Sequence, residues 1–273
     1  MKKAGRASKG RVAAAAFTHA GRVRTVNEDC IAVGEWRAQK DMRSPRYFEQ
    51  TLEAGFVALV ADGMGGHPAG DIASQYATRR LAQLLPGTGT EQEMAFAVRQ
   101  ANAGLYAEMC REPRWSAMGT AVAGLVIQAG RVMVLNVGDV RAYRINRGRL
   151  AQLSVDDGMD PDWQPGSLLP RSGMLTQCLG GLNRFLDVTP HVRCEPCRAG
   201  EVYLICSDGL YEVLAPDAIV ALINSDLASS TQELFDAAME AGSTDNVSII
   251  LVRIAEAERH SSRRQRPLET GDD

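Results

Sequence analysis

The sequence predicts an α+β protein in which antiparallel sheets are layered, with helices on their faces. Two observations predict this. Many short apolar runs, rich in β-branched residues, are bounded by Gly, Asn and Asp, as strands joined by turns would be. Longer segments instead repeat apolar residues at helical spacing, and they fall in pairs, one pair after each group of strands.

Taken in order, residues 12–18 read as a first strand, 21–29 as a polar loop and 30–33 as a short strand. Residues 37–53 are polar and charged, which suggests a loop or hairpin tip. The run Phe56-Val57-Ala58-Leu59-Val60-Ala61 is a buried strand, closed abruptly by Asp62-Gly63. Residues 70–85 place Ile72, Ala73, Tyr76, Ala77, Leu81 and Leu84 at helical spacing. Asp71 suits the positive end of that helix, and Pro86-Gly87 stops it. Residues 91–110 form a second long helix. The period then shortens: 119–128, 131–137, 141–146 and 149–154 read as strands of one antiparallel meander, turned at Ala129-Gly130 and Asn146-Arg147-Gly148. Residues 157–173, rich in Pro, Gly and Asp, form an exposed loop. Strands are expected at 186–194 and 201–207, helices at 216–224 and 231–241, and a last strand at 246–254. The expected folded domain is 12–254, with 1–11 and 255–273 as flexible termini.

Composition narrows the function. With 273 residues, 45% of them hydrophobic, the chain can build a sizeable core. A net charge of −3 argues against a nucleic-acid binder that relies on a basic surface. No apolar run is long enough to span a membrane, and residues 12–17 are too short for a signal-peptide core. A cytoplasmic monomer is expected. The cysteines at 30, 110, 178, 194, 197 and 206 are scattered, as in a reducing compartment. Cys194-Glu195-Pro196-Cys197 has the spacing of a zinc knuckle but lacks a second pair, so it reads as two ordinary thiols.

Two strands end in Asp-Gly, at Asp62-Gly63 and Asp208-Gly209, and a third run begins after Asp245-Asn246. If the third strand runs antiparallel to the others, all three carboxylates meet at one end of the sheets. Converging carboxylates repel unless cations lie between them, and an all-oxygen set suits Mg²⁺ or Mn²⁺.

Further motifs stand in a particular order: Arg24-Thr25-Val26-Asn27-Glu28-Asp29, then Asp62-Gly63, Gly119-Thr120, Gly138-Asp139, Asp208-Gly209 and Asp245-Asn246. In this order they resemble the metal-dependent Ser/Thr protein phosphatases of type 2C, the PPM family, in bacterial stand-alone form. The resemblance runs from about residue 12 to residue 254. It implies a four-layer α-β-β-α sandwich, two antiparallel sheets each flanked by a helix pair. It implies two Mn²⁺ or Mg²⁺ ions, with Asp62 as the bridge, Asp208 and Asp245 on the first ion, the Gly63 carbonyl on the second, and Glu28 and Asp29 nearby. Asp139 matches a position that helps hold a third, weaker ion. Arg24 alone would read as a solvated surface residue; within this motif it matches the phosphate-gripping arginine. Such an enzyme acts on phosphorylated proteins and opposes a Ser/Thr kinase. The stretch 175–181 and the short flap at 157–175 further resemble phosphatases paired with kinases that control type VI secretion.

The chemistry explains the residue types. A phosphomonoester carries about two negative charges near neutral pH and repels a nucleophile. Two cations roughly 3.5–4 Å apart screen that charge and activate a water for in-line attack. A guanidinium fork matches two phosphate oxygens.

The sequence departs from the family at several points. Met64 replaces a histidine that many eukaryotic relatives use to protonate the leaving group, which leaves the general acid unassigned. His67, beside Pro68, reads as structural or solvated. Val140 replaces a frequent serine, and Asp156-Asp157 stands where Asp-His is usual. Two rival readings use other features. Cys178 to Arg184 fits the Cys-x5-Arg spacing of thiolate phosphatases, although Gln177 replaces the usual preceding histidine. A catalytically dead binding module should have lost metal ligands, whereas Asp62, Gly63, Asp208 and Asp245 are all present.

Overall fold

The computed structural model describes residues 10–52, 55–64, 69–158 and 174–255. One sheet runs in the order β4 (Arg46–Thr51), β1 (Arg11–His19), β13 (Val247–Ala255), β12 (Val202–Cys206), β8 (Arg141–Asn146) and β9 (Arg149–Gln152). The other runs β11 (His191–Pro196), β7 (Arg131–Val137), β6 (Gly119–Gln128), β5 (Phe56–Gly63), β2 (Cys30–Val33) and β3 (Trp36–Ala38), with β10 (Leu179–Gly180) paired to β6. All pairings are antiparallel.

The central strands are apolar on both faces because each face has a cover. In β5, Phe56, Ala58 and Val60 enter the core between the sheets, while Val57, Leu59 and Ala61 enter a core under the helices. That second core is closed by α1 (Gly70–Leu84) and α2 (Glu91–Arg111), through Ala73, Ala77, Leu81, Met94, Val98 and Leu105. On the far side, α3 (Asp208–Tyr211), α4 (Pro216–Ala221) and α5 (Leu227–Glu240) cover the outer face of the first sheet, with Leu210, Ile219 and Leu234 buried there. The layer order is therefore α-β-β-α, as expected.

Several expectations need correction. Residues 37–53 are not simply a loop: they include the last part of β3 and all of β4. The edge strand β4 leaves most side chains exposed, so no alternating pattern marks it; Phe48 packs on Trp36 at 5.0 Å, with Arg46 stacked over both rings. The meander is two hairpins in different sheets, β6–β7 in one and β8–β9 in the other. The chain changes sheets at Gly138, where φ is +93°. Strand β11 begins at His191, later than expected. Helix α5 begins at Leu227 because Asp226 caps it, accepting from the amides of Ala228 and Ser229. His67 and residues 159–173 lie outside the described residues, as do 1–9 and 256–273.

Candidate active site

The acidic strand ends meet where the two sheets share an end. Asp62 lies on β5, and Asp208 follows β12 at the first turn of α3. Asp245 precedes β13, which is antiparallel to β12. Together with Arg24, Glu28 and Asp139 they line a cleft of about 670 Å³. Cys178, Leu182 and Leu186 line it as well.

Each acid is fixed by its local backbone. Gly63 is required after Asp62: a Cβ there would meet the carbonyl oxygens of Gly70 at 2.3 Å and Glu28 at 2.6 Å. The Gly63 amide donates to the Glu28 carbonyl (3.2 Å), tying β5 to the Arg24–Asp29 loop. Thr120 Oγ1 donates to the Asp62 carbonyl (2.7 Å), which gives Gly119-Thr120 its place in the motif series. Asn246 anchors the same loop. Its Oδ1 accepts the Glu28 amide (2.8 Å), and its Nδ2 donates to the carbonyls of Ala20 (3.2 Å) and Val26 (3.0 Å). Asp29 is fully buried and accepts from Ser207 Oγ on Oδ2 at 2.8 Å.

Asp139 is buried at the turn into β8. Tyr211 Oη donates to its carbonyl at 2.9 Å. The preceding amide, Gly138 N–H, donates to Asp157 Oδ2 (2.8 Å), while Asp157 Oδ1 meets His191 Nε2 (2.8 Å). Asp157 also accepts on its own carbonyl from the amide (2.7 Å) and hydroxyl (3.0 Å) of Thr176, on the cleft wall. Asp156 pairs with Arg141, Nη2 to Oδ2 at 2.7 Å, and that guanidinium stacks on the Tyr211 ring. The contribution of Asn246, Asp157 and His191 was not apparent in the sequence: Asn246 and Asp157 act on backbone groups far along the chain, and His191 acts on the Asp157 carboxylate.

The cluster is a crowd of buried, mutually repelling carboxyls. Burial, and then the charges of Asp29, Asp208, Asp139 and Asp245, hold the Asp62 carboxyl well above the usual range. Asp208 is raised by burial and by Asp139, Asp245, Glu212 and Asp29. Burial pushes Asp29 up to about 6 despite its hydroxyl donors. Buried Asp29 Oδ1 and Asp208 Oδ1 lack any hydrogen-bond partner among the described residues. Arg24 supplies one positive charge, with Nη2 2.6 Å from Asp245 Oδ2.

These features fit hard divalent cations, which would take the orphaned oxygens and offset the repulsion. Among the described residues no three acidic, thiol or imidazole side chains gather tightly enough to enclose an ion alone. The fit therefore calls for backbone oxygen and water as further ligands, consistent with the Gly63 carbonyl at the cleft. Cys178 has the opposite environment to an activated thiol: burial, Asp139 and Asp157 push it up to about 11. None of the six cysteines is paired.

A two-sheet sandwich with an acidic cleft at the end of its strands is the architecture of metal-dependent protein phosphatases. The sequence profile of the family described as Protein phosphatase 2C matches residues 40–251, and the chain belongs to that family. The serine/threonine protein phosphatase PstP of Mycobacterium tuberculosis is 31% identical over 222 residues, 76% of this chain. The chain spans 42% of the length of that relative. The serine/threonine phosphatase stp of Listeria welshimeri is 29% identical over 251 residues, covering 86% of this chain and 93% of the relative. A crystal structure of the PstP catalytic domain in complex with two manganese ions superposes with a TM-score of 0.71 at 30% identity, covering 90% of this chain and all of the other. PppA, described as a key regulatory component of T6SS in Pseudomonas aeruginosa, superposes with a TM-score of 0.70 at 27% identity, covering 89% and 97%.

Proposed function

We propose that the protein hydrolyses phosphoserine and phosphothreonine on proteins, dependent on Mn²⁺ or Mg²⁺. The observation that carries this is the convergence of Asp62, Asp208, Asp245, Glu28, Asp139 and Arg24 on one cleft at the shared end of two sheets. In this reading Asp62, Asp208, Asp245 and the Gly63 carbonyl would hold two ions, with Asp29 and Glu28 close by, and Asp139 would help hold a third, weaker one. The bound pair would screen the phosphate and lower the pKa of water between them.

The chain's own residues do the rest. Arg24 binds two phosphate oxygens through its planar fork and orients phosphorus toward the carboxylate floor. Thr120, Asn246 and the Gly63 amide hold that floor rigid. No side chain is required as a nucleophile, and Cys178, with its raised pKa, is not one. The deciding measurement is hydrolysis of p-nitrophenyl phosphate and a phosphothreonine peptide, with Mn²⁺ and with EDTA. Equal rates in the two conditions would overturn the proposal.

The physiological role we propose is a cytoplasmic monomer that opposes a Ser/Thr kinase. The likeness to PppA supports a kinase that controls type VI secretion. Co-purification of a kinase with an Asp62→Asn protein tests that role.

A further inference from the structure

The cleft has two unlike halves. Its floor is acidic, and among the described residues Arg24 is the only cation on its lining. The rest of the lining forms a mainly apolar wall: Met64, Met174, Leu175, Leu182, Leu186 and Val188, beside the polar side chains of Thr176 and Gln177. Buried apolar residues need no special account, but Met174 is 61% exposed, Leu182 42% and Leu186 51%. These side chains are large, close in the chain and open to water around a polar site. Two more exposed apolar residues, Val23 and Val26, bracket Arg24 in sequence. Exposed apolar surface gathered in one place marks a binding surface. Phe185 is also exposed, but it lies outside the cleft lining and packs edge-on against Tyr106 at 5.2 Å.

The wall is held in position. Gln177 exchanges hydrogen bonds with the backbone of Thr189 in both directions, each at 3.0 Å. Asn102 on α2 donates to the Leu186 carbonyl (2.8 Å) and accepts the Gly180 amide (2.9 Å). Leu186 and Gly180 are thus presented by the rigid helical layer.

We infer that this wall binds the residues next to the phosphorylated side chain, and that the preferred substrates carry large apolar residues there. The inference rests on the phosphatase reading above, because it is a phosphate at Arg24 that places the flanking residues against the wall. A phosphate at Arg24 puts the adjoining peptide within reach of this wall, since both line the same cleft. The wall offers neither lysine nor arginine among the described residues, so it gives acidic flanks no partner. Lysine flanks would lose part of their hydration against leucine and methionine. Apolar flanks gain from burial, and one such contact discriminates by about tenfold or more.

The test compares phosphothreonine peptides that differ only in the neighbouring residues: leucine, serine, lysine or glutamate. The expected kcat/KM for leucine exceeds that for serine by about tenfold, with the two charged flanks no better than serine. The double substitution Leu182→Ser/Leu186→Ser should bring the leucine-to-serine ratio close to one, while Phe185→Ser, on the same segment but outside the cleft lining, should preserve it. A ratio near one in the unaltered protein, or an unaltered ratio in the double variant, would overturn the inference. Fluorescence anisotropy of the same labelled peptides gives a second readout that does not need turnover. If no peptide is hydrolysed with Mn²⁺, the phosphatase reading fails. The wall is then judged on binding alone: tighter binding of the leucine peptide upholds it, and equal binding removes it.

Discussion

Arg24 Nη2 donates to Asp245 Oδ2 at 2.6 Å, across 221 residues of chain. The hydrogen bond and the Asp245 charge both stabilise the guanidinium, with Glu28 and Asp208 adding to the effect. The arginine proposed to bind phosphate is thus paired with a proposed metal ligand, and a divalent cation at Asp245 would compete with it.

Arg24→Ala should raise KM for p-nitrophenyl phosphate about tenfold and lower kcat much less, as expected of a group that positions the ground state. The Mn²⁺ concentration for half-maximal rate should not rise, because a competing cation has been removed. Steady-state kinetics over a Mn²⁺ series checks both, and an unchanged kcat/KM excludes the phosphate-binding role.

Asp62→Asn and Asp208→Asn should each lower turnover at least about a hundredfold, since even outer partners of metal ligands cost 10–100-fold. In EDTA the same substitutions should leave Tm equal or higher, because each removes a charge from a repelling cluster. The raised pKa values also set a pH dependence. A carboxyl whose pKa is higher in the folded state binds protons more tightly there, so its contribution is complete below the unfolded value near 4 and is lost as pH rises through the folded value. For Asp29 that window runs from about 4 to about 6. Scanning calorimetry in EDTA should show Tm falling across this window, and Mn²⁺ should remove the fall.

Cys178→Ser should keep near-normal kcat, since a thiol pushed up to about 11 is almost wholly protonated at neutral pH. A loss of activity on this substitution that matched the loss in EDTA would revive the thiolate reading.

Asp157→Ala should leave the Gly138 amide without its acceptor and release His191. The expected cost is about 1–3 kcal/mol of stability, read by urea denaturation. Activity should fall further than stability explains, since Gly138 adjoins Asp139. Asp157→Asn keeps an acceptor for the amide and should recover part of both.

Most of the fold could be read from the sequence because the strands are covered on both faces. Such strands appear as unbroken apolar runs, and those runs together with the turn residues between them bound β6, β7 and β8 correctly. The edge strand β4 was missed because solvent on its side chains erases the pattern. The assignment of hairpins to sheets was missed because it depends on the dihedral of one glycine, Gly138. At the site, the acidic positions were legible because charge at the end of an apolar run is conspicuous. The clamps Asn246 and Asp157 were not, because a side chain that bonds to distant backbone leaves no local period.

Strand β13 is the last strand among the described residues, yet it lies between β1 and β12. During synthesis β1 and β12 emerge with a gap between them, and Asp245 enters just ahead of the strand that fills it. The first sheet cannot close, and the acidic cleft cannot be completed, until Ala255 has left the ribosome. The register of Arg11 opposite Ala255 thus makes assembly a late event in translation: a stalled or truncated chain carries most of the acidic residues but no working centre.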